Sequence, residues 1–275
     1  MKTTWAIEKD IWDDNSVKNL KSSLKNQDIP FFEIGQQESY DWYKIASKGD
    51  GNTLFYGSIQ IAEKVKEEAN WIPGVFYSDH LDDCVNYYPA LGDLLLNADR
   101  YVMLPYGDLL RQKEFLFDTV AQDGALFIRP NSGKKDFTGK MIYKEHYEKD
   151  VEYLGFYDVT PDRLVIVSSP KNIVREWRFV ICDEDVVTGS LYKENEKSVR
   201  KPTYPQEALK VAEQASKRYK IDRVWVCDVC ETKLGEFYVL EIGCFSCAGL
   251  YQCNMDLIAE RVSEIAAEEY IKNDF

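Results

Sequence analysis

Two strand-length apolar runs near the end of the chain, Arg223–Val229 and Glu236–Ile242, are separated by a Lys233-Leu234-Gly235 turn. Their length, their aromatic and β-branched content and the glycine between them predict an antiparallel hairpin. Each run carries one acid in apolar company. Asp228 is embedded in Val224-Trp225-Val226-Cys227 and Val229, and Glu241 follows Tyr238-Val239-Leu240. With suitable register the two carboxylates face each other. Adjacent carboxylates repel, and a buried unpaired charge is strongly destabilising. A hard divalent cation resolves that conflict, and Mg²⁺ typically takes one or two carboxylates together with phosphate oxygens. The alternative is a pair of exposed strand acids.

The rest of the chain reads as mixed α and β. Thr4–Ile11 is extended, and Asp14 or Asn15 caps a helix whose apolar face is Val17, Leu20 and Leu24. Strands follow at Pro30–Ile34 and Thr53–Tyr56, and Ser58 opens a helix carrying Ile61, Val65 and Ala69. This rhythm predicts a small, mostly parallel sheet with helices packed on it. The second half is richer in strands. Ala125–Pro130, Arg163–Ser168, Glu176–Ile181 and Val186–Tyr192 are the candidates, with Asp183-Glu184-Asp185 as a turn. A helix starting near Pro205 bears Ala208, Leu209, Ala212 and Tyr219. A closing helix is built on Leu257, Val262, Ile265 and Tyr270. At 275 residues the chain suggests two folding units, and no linker of Pro, Gly or Ser separates them.

Charge narrows the partners. The formal charge is −13, which disfavours broad nucleic-acid binding because that needs a basic face. A local basic cluster nevertheless exists: Arg129, Lys134, Lys135, Lys140 and Lys144. Its centre, Arg129-Pro130-Asn131-Ser132-Gly133-Lys134-Lys135-Asp136-Phe137-Thr138-Gly139, has small residues that let backbone N–H groups approach an anion. Arg129 would pair with phosphate oxygens through a fork and Lys135 as a point charge. It is not a P-loop, lacking the upstream glycine and the Ser/Thr after the lysine. A solvated basic loop is the competing reading. Nearby, His80 and Cys84 suit a helix start with aspartate caps and a half-buried thiol better than a nucleophile–base pair.

The seven cysteines are an odd number with no secretory leader before them, and no segment reaches the ~20 apolar residues of a membrane helix. Reduced thiols and a cytoplasmic location are expected. Cys227, Cys230, Cys244 and Cys247 give a C-x₂-C-x₁₃-C-x₂-C spacing close to a zinc ribbon. Against zinc, Cys227 lies inside a strand, where residues three apart point to opposite faces. A zinc-containing interaction protein is retained as an alternative.

Finally, Val167-Ser168-Ser169-Pro170 leaves a strand just before Glu176-Trp177-Arg178. Such a connection can present backbone groups to an adenine edge, while Glu176 and Arg178 project to one side. A cross-strand ion pair on an exposed face is the competing reading.

Taken in order, these pieces resemble ATP-grasp ligases, in particular the clade marked by two arginines and a lysine found in bacteria and their viruses. The residues carrying the resemblance are Phe127-Ile128-Arg129-Pro130, Lys135–Gly139, Glu176–Val180, Val187–Tyr192, Asp228, Val239–Ile242 and Ala248-Gly249-Leu250-Tyr251. The resemblance implies an α+β (α/β) fold: two α+β subdomains, preceded by a small Rossmann-like domain. The segments would be 1–98, then 99–275, the latter divided into a lid at 99–166 and a metal- and substrate-binding part at 167–275. It implies ATP and Mg²⁺ as cofactors. Arg129 and Lys135 would hold phosphates, Ser168 and Ser169 would cover adenine, and Glu176 would sit near the nucleotide. Arg178, with Lys135, would serve the reacting phosphate, and Asp228 and Glu241 would bind Mg²⁺. The implied reaction joins a carboxylate to an amine, with small-molecule or peptide substrates. One departure matters: Gly243 stands where these enzymes commonly carry a metal-binding Asn. That favours, as an alternative, a nucleotide-binding module without ligase chemistry.

Overall fold

A computed structural model describes residues 2–9, 11, 15–35, 45–134, 137–154 and 159–273. By packing, the chain forms two compact units, Met1–Ser78 with Val174–Phe275, and Asp79–Ile173. The packing units do not follow the segment boundaries at 98/99 and 166/167, because the first and last parts of the sequence share one core. No helix among the described residues is long and apolar enough to cross a membrane.

The chain enters the first unit through β1 (Thr4–Glu8), α1 (Ser16–Asn26), β2 (Phe31–Ile34), β3 (Thr53–Tyr56) and α2 (Ile59–Glu68). The strands form a parallel sheet in the order β2-β1-β3. Parallel neighbours cannot be joined by a tight turn, so a helix carries the chain back between β1 and β2. The expected periodicity is present: Val17, Leu20 and Leu24 of α1 are buried, as are Ile61 and Val65 of α2. Asn15 and Ser58 occupy the N-cap positions. Asp14 lies outside the described residues.

The second unit holds α3 (Cys84–Leu91), β4 (Tyr101–Pro105), α4 (Lys113–Thr119), β5 (Ala125–Pro130), β6 (Lys140–Tyr143), α5 (Tyr147–Leu154) and β7 (Leu164–Ser168). Its antiparallel sheet runs β4-β7-β5-β6. The core comprises Leu116, Leu126, Ile128, Ile142, Tyr147, Val151, Val165 and Val167, one face of the sheet closed by α4 and α5.

Returning to the first unit, the chain forms β8 (Ile173–Cys182), β9 (Asp185–Glu194), β10 (Lys197–Lys201), α6 (Gln206–Arg218), β11 (Val224–Thr232), β12 (Phe237–Cys244) and α7 (Met255–Asn273). The five strands are ordered β10-β9-β8-β11-β12. The β9–β10 turn uses Asn195 and Glu196, both with positive φ (49° and 63°), the geometry whose twist suits a two-residue hairpin. Trp5, Ile7, Leu20, Tyr56, Val180, Val226, Phe245, Ile258, Val262 and Ile265 belong to a single buried cluster. The parallel sheet, the five-stranded sheet and the last helix therefore share one interior. Trp5 Nε1 donates to Ser263 Oγ at 2.8 Å, and Thr3 Oγ1 to Ser263 O at 3.0 Å.

One helix face differs from expectation: Leu257, expected on the apolar face with Val262, Ile265 and Tyr270, is 38 % exposed. The buried stripe of α7 is Ile258, Val262 and Ile265, spaced four and three; Leu257 lies about 100° around the helix from Ile258.

Candidate functional site

The β11–β12 hairpin has the register that brings its acids together: Asp228 is paired with Glu241. The next residue, Val229, pairs with Val239, so Leu240 is an extra residue in β12. A second irregularity lies in β9. Glu176 pairs with Lys193 and Trp177 with Leu191, leaving Tyr192 as the extra residue. Such bulges re-aim side chains. Tyr192 is turned inward, donating its hydroxyl toward Glu176 Oε2 at 2.8 Å and Asp228 Oδ2 at 3.2 Å.

Arg178 on β8 lies at the centre of this group. Its Nε and Nη2 donate to the two oxygens of Asp228 at 2.8 and 2.7 Å, a bidentate pair, and Nη1 donates to Gly249 O at 3.1 Å. The pair is enclosed, with side-chain exposures of 13 % and 2 %. Three of the five guanidinium N–H groups are used in these bonds. The guanidinium also lies over two aromatic rings, 5.7 Å from Tyr192 and 5.3 Å from Tyr251, and these rings stack on each other at 4.8 Å. On the far side, Lys193 Nζ is 2.8 Å from Glu176 Oε1.

The segment that supplies Tyr251 is tied down from several directions. Tyr56 donates its hydroxyl to Ala248 O at 2.7 Å; Gln252 N donates to Ser190 Oγ at 3.2 Å and Asn254 N to Thr188 Oγ1 at 2.9 Å. Tyr251 itself has φ +49°, a conformation a bulky residue adopts only when its surroundings impose it.

Electrostatics follow from enclosure. Burial pushes the Asp228 carboxyl above its usual range; Arg178 opposes this and Glu241 adds to it. Burial works against the Arg178 charge, but Asp228 outweighs it and holds the guanidinium firmly protonated. Burial, with the nearby Asp228 and Glu176 carboxylates, raises the Tyr192 phenol well above its usual value, so it acts as a donor.

Of the residues singled out in sequence, the structure brings Glu176, Arg178, Asp228 and Glu241 into one group. The competing reading of Glu176 and Arg178 as an exposed ion pair is not what is found: Glu176 is 6 % exposed and pairs with Lys193, while Arg178 pairs with Asp228. Tyr192 and Tyr251 complete the group without a signal of their own in the sequence. Their pairing depends on a bulge and a left-handed backbone, neither of which periodicity reveals.

The remaining candidates lie in the other unit. Arg129 is on β5, paired with Ile166. Ser168 ends β7, and Ser169 N donates to Arg100 O at 3.3 Å. Ser169 Oγ is buried without a hydrogen-bond partner. Lys135 lies outside the described residues. The loop after β5 caps α3: Cys84 N donates to Asn131 O at 2.9 Å and Val85 N to Asn131 Oδ1 at 2.8 Å. His80 is exposed and 3.7 Å from Asp83, whereas Cys84 is fully buried, not half-buried, 3.4 Å from the Tyr87 hydroxyl.

The cysteines do not form a zinc site. Among the described residues, no group of three or more His, Cys, Asp or Glu is arranged to hold a metal ion. Cys227 and Cys230 alternate across β11, and Cys244 Sγ accepts from Ser78 N at 3.1 Å. Asp228 with Glu241 is a different kind of donor set. Two facing carboxylates supply hard oxygen ligands; Asp228 Oδ1 retains a lone pair beyond its bond to Arg178, while Oδ2 also accepts from Tyr192. That chemistry fits Mg²⁺, which needs no larger protein cage.

The whole chain has the ATP-grasp fold. It superposes on the crystal structure of D-cycloserine synthetase DcsG with a TM-score of 0.63 at 14 % identity, covering 96 % of this chain and 99 % of that one. For the ATP complex of D-alanine–D-alanine ligase from Bacillus anthracis the values are 0.62, 15 %, 98 % and 99 %. For the ATP-grasp ligase PsnB with its minimal precursor they are 0.57, 11 %, 98 % and 100 %. A search of curated proteins gave no match. The family model of the ATP-grasp domain, R2K clade family 2, matches residues 113–260, more than half of the chain. The protein belongs to that family.

Proposed function

We propose that the protein is an ATP-dependent carboxylate–amine ligase. The observation that carries this reading is the enclosed group of Asp228, Glu241, Arg178 and Glu176 in a chain of ATP-grasp fold. Relatives of the same fold are named as synthetases and ligases of small molecules or of a peptide precursor.

A carboxylate is a poor electrophile because its charge repels nucleophiles. In the proposed reaction a substrate carboxylate oxygen attacks the γ-phosphorus of ATP and ADP leaves. The amine nitrogen of a second substrate then attacks the acyl carbon, phosphate departs, and the amine loses a proton. Catalysis of this kind rests on positioning and on neutralising phosphate charge. Asp228 and Glu241 would hold Mg²⁺, which when bound neutralises part of that charge. Arg178 keeps two N–H groups beyond the three bonded to Asp228 and Gly249, and these would meet the reacting phosphate. Glu176 would meet the nucleotide. Arg129 and Lys135 would hold phosphates, Ser168 and Ser169 would flank adenine, and 99–166 would act as the lid. Ser169 Oγ, buried without a partner, is suited to a ligand hydrogen bond.

The test is calorimetry of MgATP binding to the parent and to Asp228→Asn/Glu241→Gln, near-isosteric changes that remove both charges. Sharply weaker binding by the folded variant supports the reading. Equal binding by the two proteins refutes the metal assignment, and a folded parent that does not bind refutes the nucleotide site.

A further inference from the structure

Cys244 and Cys247 are left without a role once zinc is set aside. Cys244 is the N-cap of a single 3₁₀ turn, Phe245–Cys247, directly after β12. A 3₁₀ turn rises about 2 Å per residue and eclipses side chains three apart. The Cα atoms of Cys244 and Cys247 are therefore about 6 Å apart, within the range of disulfides. The extended ψ of Cys244, 136°, does not alter that separation, because its Cα lies on the axis about which ψ turns. In the reduced protein the Cys244 thiol faces Ser78, accepting from Ser78 N at 3.1 Å and donating to Ser78 O at 3.6 Å, so it must turn about χ1 to meet Cys247.

The turn is fixed in place. Ser246 N donates to Phe76 O at 3.2 Å, Phe76 N to Ser246 Oγ at 3.0 Å, and Gly57 N to Ser246 O at 2.9 Å. Phe245 is buried against Trp5 and Tyr56, with ring centroids 6.2 and 5.8 Å away. Both thiols neighbour one phenol, that of Tyr77, whose ionisation is pushed up by burial first, then by Glu63 and by the two cysteines. Closure of a bond across this turn keeps the backbone in place and requires only that the Cys244 thiol leave Ser78.

Access sets Cys247 apart from the other six cysteines. All seven are reduced, and Cys247 alone is not fully buried. Burial raises Cys182, Cys230 and Cys253 to about 12 and pushes Cys227 well above its usual value, so their thiolates are scarce. The thiolate is the reactive form.

We infer that Cys244 and Cys247 are a peroxide-oxidised dithiol, with Cys247 as the attacking thiol and Cys244 as the resolving one. The Cys247 thiolate attacks one oxygen of hydrogen peroxide, the O–O bond breaks, and the departing hydroxide leaves as water after protonation. The resulting sulfenic acid is attacked at sulfur by Cys244, which loses its proton as the S–S bond forms and a second water leaves. Two thiols and one peroxide give one disulfide and two waters, and a dithiol reductant reverses the change.

The experiment treats the reduced full chain with hydrogen peroxide, blocks remaining thiols with iodoacetamide and maps the peptides by mass. Two thiols should be lost together, with a peptide carrying both Cys244 and Cys247 lighter by two hydrogens and restored by dithiothreitol. Cys244→Ser should instead trap Cys247 as a dimedone-reactive sulfenic acid. The inference is overturned if Cys247 proceeds to sulfinic acid in the parent while Cys244 stays reduced, or if another cysteine is oxidised first. The parent protein alone decides between these outcomes, whether or not the variant folds.

Discussion

Replacing Arg178 by methionine tests how the candidate site is held. The substitution keeps much of the side-chain volume over Tyr192 and Tyr251 but removes two charge-assisted bonds to Asp228 and one to Gly249 O. Asp228 is 2 % exposed, so water cannot take over the lost partners. Removing one partner of a buried ion pair costs about 3–5 kcal/mol, because the other charge is left uncompensated. Asp228→Asn should cost less than Arg178→Met, since it leaves a neutral amide in place of the acid while the guanidinium keeps Gly249 O and the two rings. Adding Asp228→Asn to Arg178→Met removes the orphaned charge and should return about 2 kcal/mol or more of the loss, a strong non-additivity between contacting residues. Urea unfolding followed by tryptophan fluorescence suits the measurement. All six tryptophans lie in residues 1–78 or 174–275, and Trp5, Trp177 and Trp225 are fully buried there. The signal therefore reports the unit that contains the pair. A loss below about 1 kcal/mol for Arg178→Met, or strict additivity in the double variant, would refute the view that Asp228 depends on this arginine.

Gly243→Asn should fold as stably as the parent, because a Cβ there meets only Val226 Cγ2 at 3.6 Å, and it should tighten MgATP binding severalfold in calorimetry by adding an oxygen ligand beside Glu241. Gly189→Ala should lower stability by about 1–3 kcal/mol in the same urea assay, since its Cβ would fall 2.5 Å from the Phe179 ring. Asp222→Asn should make the protein more stable at pH 7.5 by about 1–2 kcal/mol and leave it unchanged near pH 3.5. Burial raises the Asp222 carboxyl to about 6, so the folded parent binds the proton more tightly than the unfolded chain and loses stability as pH rises from about 4 to 6. Unfolding midpoints across that interval should converge at the acid end.

Much of this architecture was legible because it is local. The pairing of Asp228 with Glu241 followed from two apolar runs and a short turn, and Val17, Leu20 and Leu24 of α1 from a 3.6-residue period. What escaped is what local pattern does not encode. The parity of side chains along β9 changes at Tyr192 and along β12 at Leu240. A bulge leaves no mark in composition, so the inward turn of Tyr192 had no signal. The position of Tyr251 depends on hydroxyls of Thr188 and Ser190, more than sixty residues earlier in the chain. Lys193, which pairs with Glu176 at 2.8 Å, has no local signal that separates it from other strand lysines.

The discontinuous unit has a consequence for synthesis. Strand β1 hydrogen-bonds to Ser263, and its Trp5 shares a core with Ile265. At about 5–20 residues per second, some 13–50 s separate the emergence of these two ends. The contiguous residues 79–173 can fold during that interval, whereas Trp5, Ile7 and Leu54 must wait for a helix not yet made. A ribosome-bound chain stalled before residue 255 would therefore display that apolar surface to chaperones, and a chain released there would be open to proteolysis at its amino-terminal end.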